Sequence, residues 1–169
     1  TLDKHPSDKS ARKLPGVKEV VPRIATNPQQ FAEVIGEVAP GFTTNKSGVG
    51  DVSLQKGHMD RSTVVRTHPV TQNEPCVLFG TFEIPSGRKT WLLVDVAHHP
   101  DGNWRFEVKG NGKKLLSEDI GGPASRGWQS FRIDLSKFAG ESVKLQLENH
   151  ATGWKNEYGY WGGARVVSE

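Results

Sequence analysis

The chain has 169 residues, with 19 Gly, 10 Pro and one Cys, and a formal charge of +3. Six of its Lys and Arg residues lie in positions 1–23 against three acids, and the rest holds 16 of each sign. A nucleic-acid-binding face needs clustered excess base, which the neutral body lacks, so nucleic acid is not an expected partner. One cysteine excludes an internal disulfide and a Cys-rich metal site, and no run approaches the ~20 apolar residues of a membrane span.

Residues 1–23 are charged and interrupted by Pro6, Pro15 and Pro22, the composition of a basic linker or extended tie. The chain has neither a start Met nor a signal-peptide pattern, and it reads as a piece of a longer, exported protein. Residues 24–169 read as one domain. A helix near 28–38 is expected first: Asn27 suits the N-cap, Pro28 the first helical position and Gln30 the reciprocal capping position. Phe31, Val34, Ile35 and Val38 then form one apolar stripe, which Ala39-Pro40-Gly41 ends. Between Gly41 and Gly57 the pattern is weak and reads as turns.

Strands follow. Thr63 to Thr67 is one, ending at His68-Pro69 because the residue before proline prefers extended backbone; His68 reads as a strand-end hydrogen-bonder. Cys76 to Ile84 is the next, and its alternation slips at Gly80, so a bulge is expected there. Thr90 to Val96 is apolar almost throughout, as in a strand covered on both faces. Trp104, Phe106 and Val108 alternate with charged residues, and Asn111-Gly112 signals a tight hairpin to Lys113–Leu116. Trp128 opens a strand through Phe131, Ile133 and Leu135, and Val143, Leu145 and Leu147 mark another. Ala164 to Val167 closes the chain. The predicted fold class is all-β, a two-layer antiparallel jelly-roll-like β-sandwich with one short N-terminal helix. Val94, Phe106, Phe131, Ile133, Leu135, Val143, Leu145 and Leu147 are expected in its core.

The order GTFEIPSG, an apolar strand, GNWRFEVKGNGKKL, GWQSFRIDLSKFAGESVKLQLEN and YWGGARVV resembles the galactose-binding-like β-sandwich superfamily of discoidin domains and carbohydrate-binding modules. The resemblance runs over residues 60–168. It rests on Asp134-Leu135, Gly140, the Val143–Leu147 strand and Trp161–Val167. It implies non-catalytic glycan binding in loops at one end of the sandwich, and in many members a structural calcium ion. Many members carry Asp or Asn just after the aromatic that opens the last strand, where this chain has Gly162-Gly163 after Trp161. No cofactor is expected to be required, and the identity of any metal is left open.

Trp154, Tyr158, Tyr160 and Trp161 fall within eight positions, four of the seven Trp and Tyr residues of the chain. Flat aromatic rings suit the C–H face of a sugar, while a few polar groups hydrogen-bond its hydroxyls. The loop 149–161 offers Trp154, Tyr158 and Tyr160 beside Asn149, His150, Asn156 and Glu157. Trp161 is expected to plug the core instead. His98-His99-Pro100-Asp101 with Asn103 and Trp104 is the second candidate, His98 and Asp101 foremost; adjacent histidines of an extended chain point apart, which disfavours a shared metal. The expected function is a non-catalytic carbohydrate-binding module acting on a glycan or polysaccharide. The alternative is a structural or protein-interaction sandwich packing on neighbouring domains, and an enzyme comes a distant third. No nucleophile elbow, zinc-protease or phosphate-loop motif is present, and Glu118-Asp119 lacks a partner.

Overall fold

A computed structural model describes residues 20–123 and 127–169. Ten strands form two antiparallel sheets, joined by one helix and a short 3-10 turn. The strands are β1 (Arg23–Ala25), β2 (Val52–Gln55), β3 (Val64–Thr67), β4 (Cys76–Glu83), β5 (Thr90–His98), β6 (Trp104–Gly110), β7 (Lys113–Ile120), β8 (Gln129–Asp134), β9 (Ser142–His150) and β10 (Gly159–Ser168). One sheet has the order β1-β2-β3-β10-β5-β8 and the other β4-β9-β6-β7. This is the expected all-β sandwich. Seven of the eight expected core residues are buried and Phe131 is half-buried, packed against the same cluster.

The helix α1 (Pro28–Gly36) begins as its sequence dictates. Asn27 Oδ1 accepts from the Gln30 N–H at 3.0 Å, and Gln30 Oε1 accepts in return from the Thr26 N–H, one residue further back than in a simple capping box. Phe31, Val34 and Ile35 are buried in the sandwich core. The helix stops at Gly36, two residues before the expected end. Val38 then serves β10, its carbonyl accepting from Ala164 N–H at 3.1 Å. That bond fills the flank of β10 beyond Trp161, the last residue that pairs with β3.

Three expectations change. Strands β1 and β2 arise where turns and a linker were expected, and Arg23 opens β1. They are three and four residues long, too short for alternation to stand out from a Gly-rich background. Of the rest of the linker reading, residues 1–19 lie outside the described residues, while Val20 packs against the core and Val21 and Pro22 are exposed. In β4 no bulge occurs: pairing with β9 runs unbroken from Cys76↔Asn149 to Glu83↔Ser142. Cys76, Leu78, Gly80, Phe82 and Ile84 share the inward parity, while Val77 and Phe79 are half-buried on the outer face. Gly80 is needed because the chain at Gly41 crosses it: a β-carbon there would strike the Gly41 carbonyl oxygen and press on the Phe82 ring. Gly80→Ala should therefore cost about 1–3 kcal/mol in denaturant unfolding, as overpacking does. A neutral effect would show that the 41–43 segment yields freely. Finally, β5 alternates, with Leu92, Val94 and Val96 buried and Trp91, Leu93 and Asp95 only half-covered. Its outer face is apolar partly because Trp91 carries the Arg132 guanidinium at 3.7 Å.

Candidate functional site

The turn after β5 and the loop between β9 and β10 meet at one end of the sandwich. They border a cleft of ≈ 880 Å³ whose lining includes His98, Asp101, Asn103, Thr152, Trp154 and Glu157. Strand β10 begins at Gly159, earlier than expected, so the loop proper is 151–158, and Tyr160 and Trp161 belong to the sheet. Contact between the two loops is close. A β-carbon on Gly102 would collide with the Asn156 carbonyl oxygen, and Asn156 itself takes a left-handed φ of 53° to make the turn.

Trp154 is 45% exposed on the lip of this cleft. Its ring meets His68 edge-on at 4.9 Å, and Tyr158 approaches the same histidine at 4.9 Å from another side. His68 is buried, with Nδ1 2.8 Å from the Pro69 carbonyl, so the strand-end role expected of it also braces Trp154. Tyr158 is half-buried under the Arg66 guanidinium at 4.6 Å and does not line the cleft.

Glu157 is 2% exposed. Its Oε2 accepts from the Thr152 backbone N–H at 3.1 Å, and the Thr152 hydroxyl lies 3.3 Å away while donating to Asn103 Oδ1 at 2.6 Å. The carboxylate thus folds the loop back on itself and ties it to the Asn103 turn. His98 is also buried. Its Nδ1 donates to the carbonyls of His99 (2.7 Å) and Gly102 (3.1 Å), leaving Nε2 to accept from the Gly127 N–H at 3.2 Å. Asp101 is exposed, and its backbone N–H donates to His99 Nδ1 at 3.0 Å. Both adjacent histidines are thus committed to the turn.

Besides Tyr158, four sequence candidates leave the site. Tyr160 is 4% exposed and stacks on His58 with centroids 3.6 Å apart. Burial raises its phenol above the ordinary value; burial likewise lowers His58, against the opposing bond to the His98 carbonyl. Asn149 is fully buried, accepting from Thr67 Oγ1 at 2.9 Å and donating to the Glu157 carbonyl at 3.3 Å. Asn156 is a backbone element of the turn. His150 points to the outer face of the four-stranded sheet, with Nε2 2.8 Å from Glu148 Oε1 and 3.2 Å from Glu107 Oε2. For Tyr160 and Asn149 the physical reason is burial, since polar or aromatic side chains near a loop are also what a sandwich uses to close its end; His150 leaves because it is still part of β9. Thr152 and Lys155 of the cleft were not singled out by sequence, since neither is unusual in a polar loop.

The Glu107, Glu148 and His150 cluster was missed too. It depends on the register Glu107↔Glu148, which sets two carboxylates directly opposite each other. Burial alone would raise both carboxyls. For Glu107 the Lys114 hydrogen bond, and for Glu148 those from His150 and Lys109, outweigh it and hold both below the ordinary range. Cys76 is buried beside Thr44, its thiol pushed up to about 11 by burial, which suits packing and not nucleophilic chemistry. Gly162 and Gly163 offer no side-chain oxygen, and Gly162 lies against the Trp128 ring, so the calcium site implied by resemblance does not fit these residues. Among the described residues no helix is long and apolar enough to cross a membrane.

No family model matches the sequence. A curated protein of Archaeoglobus fulgidus, named only as uncharacterized, is 28% identical over 127 residues; the match covers 63% of this chain and 31% of that protein, so the chain spans under a third of its relative. The K1 cleaved adhesin domain of Lys-gingipain from Porphyromonas gingivalis matches with a TM-score of 0.55 at 14% identity, over 76% of this chain and 91% of that one. The enzymatically active domain of bacteriophage CBA120 tailspike protein 4 gives 0.51 at 11%, over 86% of this chain and 21% of that one. These likenesses show a shared β-sandwich fold. Carbohydrate-binding modules are also among the structural neighbours, including the CBM22-1 xylan-binding domain from Paenibacillus barcinonensis, with a TM-score of 0.47 at 11% identity over 76% of this chain and 86% of that one.

Proposed function

We propose that this domain is a non-catalytic glycan-binding module that takes its ligand in the cleft beside Trp154. The reading is carried by one observation. Trp154 stands half out of the protein, braced by His68, over a cleft edged with the polar side chains of Asp101, Asn103 and Thr152. A large aromatic left in water next to fixed hydrogen-bonding groups is the arrangement a sugar ring needs: a flat apolar platform and a few directional partners. The site residues are Trp154, Asp101, Asn103, Thr152 and Lys155, with Glu157, His98 and Tyr158 holding the loops in place. The parent protein is read as exported, since polysaccharide is met outside the cell.

A glycan-array screen followed by calorimetric titration of the best ligand tests the reading. Binding should be modest, because a shallow, wet cleft gains little beyond one stacked ring and a few hydrogen bonds. If no glycan binds at millimolar concentration, the domain is instead an interaction sandwich whose exposed tryptophan docks on a neighbour.

A further inference from the structure

On the outer face of the four-stranded sheet, Glu107, Glu148 and His150 bring one donor atom each to within 4.8 Å of one another. None of them lines the cleft beside Trp154. We propose that they form a binding site for a first-row divalent transition ion such as zinc, independent of any glycan site.

Geometry is the first support. Two metal bonds of about 2.1 Å at the tetrahedral angle separate their donor atoms by ~3.4 Å. His150 Nε2 already lies 2.8 Å from Glu148 Oε1 and 3.2 Å from Glu107 Oε2, so a small closing or opening of the three side chains seats an ion. Chemistry is the second. One imidazole and two carboxylates match the borderline character of zinc, and three protein ligands leave one position open for water or a ligand oxygen. The third support is the placement itself. Glu107 and Glu148 are directly opposed across β6 and β9, with side chains only 11% and 5% exposed. Like charges so placed destabilise a sheet unless a cation sits between them.

Lys109 and Lys114 supply part of that cation. Lys109 Nζ lies 3.1 Å from Glu148 Oε1 and Lys114 Nζ 3.2 Å from Glu107 Oε1, and Ser117 Oγ donates to Glu107 Oε1 at 3.2 Å. These contacts keep the two carboxylates ionised and in place before any ion arrives. Both ammonium groups sit on long, partly exposed stems and are free to swing into water when an ion takes over their role. Glu107 Oε2, which His150 shares, is untouched by either lysine.

The test is zinc titration of the whole chain, followed by calorimetry and by NMR of the histidine side chains. Saturable binding of one zinc per chain is expected, with the His150 ring signals shifting and those of His58, His68, His98 and His99 staying in place. His150→Gln and Glu148→Gln should each weaken that binding by well over an order of magnitude, with circular dichroism reporting that the sandwich persists. Failure to bind zinc overturns the proposal. So does binding that moves only the other histidines, a result readable from the unmodified protein should either variant fail to fold.

Discussion

Replacing Trp161 with alanine is expected to destabilise the domain by about 3–5 kcal/mol, as loss of a fully buried Trp does. Trp161 is completely buried and packs against Trp104 and Phe106, with ring centroids 5.5 and 5.6 Å away. Its Nε1–H donates to Thr67 Oγ1 at 2.9 Å, Thr67 donates to Asn149 Oδ1, and Asn149 Nδ2 donates to the carbonyl of Glu157. Alanine thus opens a cavity and also removes the first link of a chain that runs through the core to the 151–158 loop. Trp161→Phe keeps most of the volume but loses the N–H and part of the indole ring, so it should cost less, about 1–3 kcal/mol. Denaturant melts of both variants measure the two losses. An alanine variant as stable as the parent would mean that the sandwich does not close on this ring.

Trp154→Ala should do the opposite. Glycan binding should fall below detection, while stability changes by less than about 1 kcal/mol, in the range of surface substitutions. Trp154 is nearly half exposed and meets the protein chiefly through the edge contact with His68. The platform therefore contributes contact area to a ligand and little to the core. Trp154→Phe should recover part of the affinity, because a smaller ring still stacks. Unchanged binding in Trp154→Ala would move the ligand away from this cleft. A loss of stability matching that of Trp161→Ala would make Trp154 a packing residue and leave the interaction-module reading in its place.

The pair illustrates how two tryptophans seven positions apart can have contrary roles. Both sit in the aromatic-rich stretch, and composition alone treats them alike. Trp161 was expected in the core and lies there, and the start of β10 gives the reason. From Gly159 onward the chain is strand, so Trp161 points between the sheets and Tyr160 to the outer face against His58.

Local pattern determined the fold class, the helix start and most of the core, because each depends on residues within one element. Asn27, Pro28 and Gln30 specify a helix N-terminus, and Asn111-Gly112 a two-residue hairpin with both φ angles positive. Trp104, Phe106 and Val108 declare an inner face by alternation. Tertiary structure decided what depends on register between distant strands. The 106–149 and 107–148 pairs of β6 and β9 place Glu107 against Glu148, and a shift of one residue would set Glu107 opposite Leu147 or Asn149 and send one of the two carboxylates into the core. Neither strand alone carries that information. The same holds for the cleft: His68, Asn103 and Trp154 are far apart in the chain and meet because β3, β5 and β10 are neighbours in one sheet. Burial, which turned Asn149 and Tyr160 from ligand candidates into supports, is a property of that packing and not of the residues themselves.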